Sequence, residues 1–313
     1  MRRGTLQTRS RLRPKLRQPK LQSQPLMPRR QERLQPQHHK ESKMGVIFQI
    51  NPTESPERFE ISVPETWGQG RAVYGGLAGA YLMMGATAGV SGSARSATIS
   101  FVGPLESGPA TLKRRVLREG SSMTHLQTEI EQNGEVKTIG LFAFGEARKT
   151  GLDIVSEPLV LPAPDTLHTI DFGQGLAPEF TSHFEYKWSG DAFPLSGAAA
   201  RAQGWVRSKS ELEFLSPEAH SMPASILALI DAWPPAIWSA LTFPARGSTA
   251  TWSVAFTPDA HTTIASTEWF SYDAKTTFSQ EGYADTEATF GDGQGRILAK
   301  SRQVFSEFSK ASA

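Results

Sequence analysis

Cysteine is absent from all 313 residues. That removes disulfides, Cys-x-x-Cys redox chemistry, thiolate zinc sites and a cysteine nucleophile together, so any nucleophile must be an oxygen or a water. Also missing are a Gly-x-Ser-x-Gly elbow, a Walker loop, a Gly-x-Gly-x-x-Gly between strand and helix, and a His-Glu-x-x-His pair. The serine-hydrolase, nucleotide-binding and zinc-protease chemistries that use those motifs are set aside. Gly68-Gln-Gly70 is only a weak phosphate-loop look-alike. His125, His168, His183, His220 and His261 are dispersed and His38-His39 lie in a basic tail, so neither a metal nor another cofactor is expected.

Aromatic residues are missing from residues 1–43, which carry thirteen Lys and Arg against Glu32 and Glu41, a net +11 that leaves −9 on residues 44–313. With seven Gln and five scattered prolines, this stretch has too little apolar surface to offset the entropy of ordering it. It reads as a disordered basic tail ahead of a domain that opens at Met44. A nucleic-acid arm, an anionic-membrane arm and an organelle transit peptide are the functional alternatives. No apolar core of a signal peptide and no clear amphipathic helix supports them, and no nucleic-acid partner is expected.

Charge is missing too, over the 23 residues from Ala72 to Ala94, enough in length for a transmembrane helix. Six glycines and several Ser, Thr and Tyr residues interrupt the run. A helix apolar on all sides equally suits the centre of a curved sheet that buries every face. The core helix is the preferred reading, with no membrane span and a cytoplasmic location.

What is present is one order of elements, written twice. In the first half Arg58 to Val63 reads as a strand, Val73 to Val90 as the buried helix and Ser96 to Val102 as the next strand. Strands Thr111 to Leu117, His125 to Glu131 and Val136 to Phe144 follow, the last two joined by Asn133-Gly134, a strong hairpin signal. A proline-rich stretch with Pro158, Pro162, Pro164 and Pro178 reads as a linker. The second half gives strands Phe180 to Trp188 and Ala202 to Ser208, a helix from about Pro217 to Trp233, and strands Thr249 to Phe256, Glu268 to Asp273, Gly282 to Phe290 and Arg296 to Phe308. Overlaying Gly134 on Gly295 puts Phe144 on Phe305, and overlaying Phe101 on Phe256 aligns the strands after the two helices. An internal duplication follows, with the two sheets pairing edge to edge.

Two side chains stand out within that frame. Asp231 is the isolated acid of the second helix, near its C-terminal end and just before Pro234-Pro235, which must stop the helix. A carboxylate there is on the unfavourable side of the helix dipole; solvation at a wet helix end is the plain explanation, a functional role the other. Gln303 alternates with Ile297, Ala299, Ser301 and Phe305 on one face of the last strand, opposite Lys300 and Arg302. A buried amide needs partners, supplied by backbone or by a water and Asp231.

The run Trp67-Gly-Gln-Gly-Arg-Ala-Val-Tyr-Gly-Gly-Leu77, the strand ending at Phe101 with Gly103-Pro104, Asp231-Ala-Trp-Pro-Pro235 and Gly295-Arg-Ile-Leu-Ala-Lys-Ser-Arg-Gln303 resemble the type II acyl-CoA thioesterases over about residues 45–308. The resemblance implies an α+β double hotdog: two tandem curved antiparallel sheets, each wrapped around a central helix, at residues 44–149 and 180–310 with a linker at 150–179. It implies hydrolysis of acyl-CoA to a fatty acid and CoA by a water held by an Asp, a Thr and a Gln of the second unit. Asp231 and Gln303 match the first and last. For the Thr, anchoring on Phe256 favours Thr249 and the Ala-Thr dipeptide favours Thr251; plain alternation puts both on one, solvated face, and a one-residue bulge would exchange them. Backbone N–H groups at Gly75, Gly76 and Leu77, or the equivalent turn before the second helix, are the oxyanion and substrate-lining candidates. A non-catalytic acyl-CoA or acyl-chain binding module with a decayed site is the alternative, and homo-oligomer formation is left open. A chain beginning at Met44 is expected to match the full chain in Tm and in thioesterase rate; a marked loss of either would make the basic segment functional.

Overall fold

The computed structural model describes residues 45–170, 177–215 and 221–309. The basic segment at residues 1–43 and the expected helix start at Pro217 lie outside them. Among the described residues thirteen strands form one sheet, with two separate two-stranded ladders, one parallel and one antiparallel. In chain order we label β1 (Val46–Gln49), β2 (Arg58–Val63), β3 (Ser93–Phe101), β4 (Gly108–Glu119), β5 (Met123–Gln132), β6 (Glu135–Gly145), β7 (Phe184–Trp188), β8 (Arg201–Ser208), β9 (Leu212–Leu215), β10 (Gly247–Phe256), β11 (Phe270–Gln280), β12 (Tyr283–Gly291) and β13 (Ile297–Glu307). The large sheet runs β7-β8-β11-β12-β13-β10-β3-β6-β5-β4-β2, with the two-residue strands Thr169–Ile170 and Asn51–Pro52 at its edges. All its pairings are antiparallel.

Local chemistry accounts for the hairpins. Asn133 and Gly134 both adopt positive φ, 57° and 80°, the pair of left-handed residues that matches the twist of adjoining strands. At the turn into β13, the Asp292 carboxylate accepts the Gln294 and Arg296 backbone N–H groups, holding the loop from within.

The two halves join at β3 and β10. Ala97 pairs with Val254, Thr98 with Ser253 and Ile99 with Trp252. Under the overlay of Phe101 on Phe256, a shift of 155 residues, Thr98 maps onto its own partner Ser253 and the flanking pairs exchange. The register of this junction is thus symmetric about the Thr98–Ser253 pair, a local pseudo-twofold axis.

Helices α1 (Gly75–Thr87) and α2 (Met222–Ile230) pack on the sheet and on each other. Both are shorter than expected. Tyr74 caps α1 in an extended conformation and Ala88 ends it; α2 stops at Asp231, three residues before Pro234-Pro235 disfavours further helix. Leu82, Met83 and Met84 are fully buried, and Thr128 on β5 donates its hydroxyl to the Leu82 carbonyl. Among the described residues, no helix is long and apolar enough to cross a membrane.

Two differences concern strand pairing. β1 pairs in parallel with β9, and Phe48 stacks on Phe214 at 4.9 Å, so the start of the first half is built into the second. Strands so distant in sequence share no turn that would announce them. β11 continues to Gln280, well past Asp273, because it hairpins directly into β12.

Behind α2, Trp188, Gly204 and Tyr272 lie in register across β7, β8 and β11. Trp233 lies against Gly204 in this row, stacked on Tyr272 at 5.0 Å and 5.1 Å from Trp188. A Cβ on Gly204 would lie 2.0 Å from the Lys187 carbonyl oxygen and 3.0 Å from the Trp233 ring. Gly204→Ala is expected to destabilise the fold by at least about 3 kcal/mol, read as a fall in Tm or in the denaturant midpoint.

Candidate active site

Asp231 is the residue at which α2 turns out of helical register, and Gln303 lies on the inner face of β13, opposite Trp252 of β10. The Gln303 Nε2 donates to Asp231 Oδ1 at 2.8 Å, bringing together two side chains from the end of a helix and the middle of a strand. The alternation along β13 holds: Ser301 and Phe305 are buried, while Lys300 and Arg302 are exposed.

The threonines separate. Thr249 pairs with Phe305 and Thr251 with Val304, with a bulge between them at Ala250. Residues opposite each other in a ladder share a face, and an inserted residue restores one side chain to the face that alternation denies it. Thr249 therefore lies on the inner face with Phe305 and Gln303, whereas Thr251 is exposed on the outer face. The expectation that both share one solvated face is corrected; the bulge is the reason.

α1 enters the site end-on. The Gly76 backbone N–H lies beside the Asp231 carboxylate and favours its charged form, as the positive end of a helix does for an anion. The absence of side chains permits the approach: a Cβ on Gly75 would lie 2.9 Å from Asp231 Oδ2, and one on Gly76 3.0 Å from Asp231 Cβ and 3.1 Å from the Ala228 carbonyl oxygen. The Leu77 N–H bonds the Tyr74 carbonyl, so of the three expected oxyanion donors Gly76 lies beside the acid and Leu77 is engaged with its own turn. Two hydroxyls given no role by the sequence complete the surroundings. Tyr74 donates to the Ala228 carbonyl at 3.3 Å and Tyr186 to the Ala232 carbonyl at 2.9 Å. The only sequence signal for Tyr74 is its place directly before Gly75-Gly76.

Asp231 keeps some accessible surface, yet burial dominates its carboxylate and raises its pKa to about 6, against the lowering by Gln303 and by Gly76. A carboxylate so poised can take up a proton near neutrality. No cluster of three or more His, Asp or Glu side chains able to hold a metal occurs among the described residues. A cavity of about 830 Å³ lies elsewhere, on the outer face of the sheet beside Arg201, Lys275, Lys300 and Arg302.

Comparison with known proteins gives the fold and then the family. A protein of unknown function with a hot dog fold from Alicyclobacillus acidocaldarius superposes with a TM-score of 0.72 at 20% identity, over 84% of this chain and 96% of that one. A thioesterase II described as putative in Thermobifida fusca gives 0.69 at 18%, over 83% and 95%. An acyl-CoA thioesterase II from Mycobacterium marinum gives 0.59 at 18%, over 84% and 96%. The fold is the hotdog fold. The acyl-CoA thioesterase N-terminal domain matches residues 63–145 and the acyl-CoA thioesterase C-terminal domain residues 161–306. The chain belongs to the acyl-CoA thioesterase family and is a thioester hydrolase. Among curated proteins none matches significantly.

Because the Asp231 carboxyl has a higher pKa folded, about 6, than its ordinary value of 3.8, the folded state binds the extra proton and stability rises as pH falls through that window. Above about pH 6 the buried charge costs about 1–3 kcal/mol. Asp231→Asn is thus expected to raise Tm at pH 8, with the difference shrinking towards pH 4; an unchanged or lower Tm at pH 8 contradicts it.

Proposed function

We propose that the protein hydrolyses acyl-CoA thioesters to a free fatty acid and CoA, with Asp231 as general base and Gln303 and Thr249 orienting the water. The observation that carries this reading is the 2.8 Å bond from Gln303 to Asp231, with the bulge that turns Thr249 to the same face in support. A thioester carbonyl has little of the resonance of an ester, so an oriented water suffices. Asp231 takes one proton as the water oxygen bonds the carbonyl carbon. The C–S bond then breaks, CoA leaves as thiolate, and the proton held by Asp231 is available to it. Thr and Gln are neutral; they hold the water's lone pair on the carbon.

With Gly76 turned to the acid and Leu77 bonded within its own turn, the Gly75 N–H at the positive end of α1 is the donor this reading assigns to the developing oxyanion. Phe305, two residues beyond Gln303 on the same face, forms a small cluster with Ile237 and Ala284, with Trp238 packed edge-on at 5.4 Å. In this reading the cluster is the apolar surface offered to the acyl chain. The architecture is a double hotdog with units at residues 44–149 and 180–310, a division supported by the pseudo-twofold pairing of β3 with β10.

Asp231→Asn is expected to lower kcat by about 10²-fold or more with little change in acyl-CoA binding, since Asn keeps the shape but cannot take the proton. Gln303→Ala and Thr249→Ala are each expected to cost about tenfold, and Thr251→Ala to be silent. A thiol-release assay over acyl-CoAs of graded length measures all four. Near-full activity of Asp231→Asn would sink the water-base mechanism, and binding without turnover in the wild type would favour the binding module.

A further inference from the structure

The segment ahead of α1 touches α2 at two points. The Tyr74 hydroxyl donates to the Ala228 carbonyl, one of the last-turn carbonyls that have no partner within the helix. Two residues on, Gly76 packs directly against Asp231, just past the end of the same turn, and its N–H favours the charged carboxylate. The contact is tight: the place of a Cβ on Gly76 is 2.6 Å from the Tyr74 ring, 3.0 Å from Asp231 Cβ and 3.1 Å from the Ala228 oxygen. Tyr74 is wholly buried, and its ring is stacked on Phe180 at 4.4 Å with an interplanar angle of 7°. A buried phenol with its ring held by a stack has one rotatable group left, the hydroxyl, and Ala228 takes it.

We infer that Tyr74 is a positioning residue for the site: its hydroxyl on the Ala228 carbonyl pins the first turn of α1 to the last turn of α2 and so keeps the Gly76 backbone close beside the Asp231 carboxylate. The inference rests on Asp231 being the base. It assigns to the first half of the chain a part in setting the acid–base chemistry of the second. Removing the hydroxyl does two things in the same direction. It leaves the negative end of the Ala228 carbonyl uncompensated near a carboxylate, and it loosens the one backbone donor that favours the charged form. The groups that face Asp231 are the Gln303 amide from β13, the Gly76 N–H from α1, Tyr74 ahead of α1 and Tyr272 from β11. The two phenols are raised far above their ordinary range by burial first and by the Asp231 charge second. They stay neutral through the working pH, so the titration near pH 6 is that of the acid itself.

The test compares Tyr74→Phe with Tyr81→Phe. Tyr81 is equally buried and donates to the Ser62 carbonyl, which makes it the control for losing a buried hydroxyl. Two readouts are used: the acid limb of kcat against pH at saturating acyl-CoA, and the Asp231 carboxyl titration by carbon NMR, its signal assigned by its absence in Asp231→Asn. Tyr74→Phe is expected to move both upward by about half a pH unit or more, while Tyr81→Phe moves neither. Phe180→Leu, which withdraws the stacking face and keeps the hydroxyl, gives a second, smaller shift in the same direction should Tyr74→Phe fold poorly. A lowered Tm with both titrations unmoved would reduce Tyr74 to a structural residue and overturn the proposal. If instead the NMR titration moves while Asp231→Asn remains active, the positioning stands and the assignment of the base falls.

Discussion

The close approach of the start of α1 to the end of α2 is the contact on which the rest of the site depends. A helix N-terminus carries unsatisfied N–H groups and a helix C-terminus unsatisfied carbonyls. Bringing the two ends together buries both sets unless side chains and backbone answer each other. Here Gly75-Gly76 removes the bulk, the Gly76 N–H lies beside Asp231, and Tyr74 and Tyr186 satisfy the Ala228 and Ala232 carbonyls. The acid is held on one side by α1 and on the other by Gln303, and burial between them is what raises its proton affinity.

The sheet brings the halves to this meeting point and also makes them unequal. Around the Thr98–Ser253 pair the two halves are equivalent in register. The overlay of the two final hairpins, however, sets Phe142 in the place of Gln303. Phe142 is buried and apolar, and α1 has no acid, so the first half has neither partner of the pair. What it contributes is an end of a helix. In the proposed mechanism the polar pair comes from the second half and the supporting dipole from the first.

Much of the core was legible because it obeys short periods. Alternation placed Gln303 on the inner face of β13, and the charge-free run marked α1 as buried on every side. The stops were readable too: Pro234-Pro235 bounded α2, and Asn133-Gly134 set a hairpin whose two residues have the positive φ that such turns demand. The family resemblance rested on Trp67 to Leu77, Phe101 with Gly103-Pro104, Asp231 to Pro235 and Gly295 to Gln303, runs whose glycines and prolines report backbone geometry directly.

Other features could not be read along the chain, because they are decided between segments far apart in it. The face of Thr249 depends on an extra residue at Ala250, a bulge that exists only relative to β13. The pairing of β1 with β9 carries no turn of its own. The roles of Tyr74 and Gly76 appear only when α1 meets α2, since a hydroxyl and a backbone N–H acquire partners from whatever packs against them. The sequence by itself determined which residues are apolar, where the chain must turn and which acid is isolated, all local consequences of residue type. Tertiary structure decided which of those residues touch, because burial, register and hydrogen-bond partners belong to pairs of segments and to neither alone.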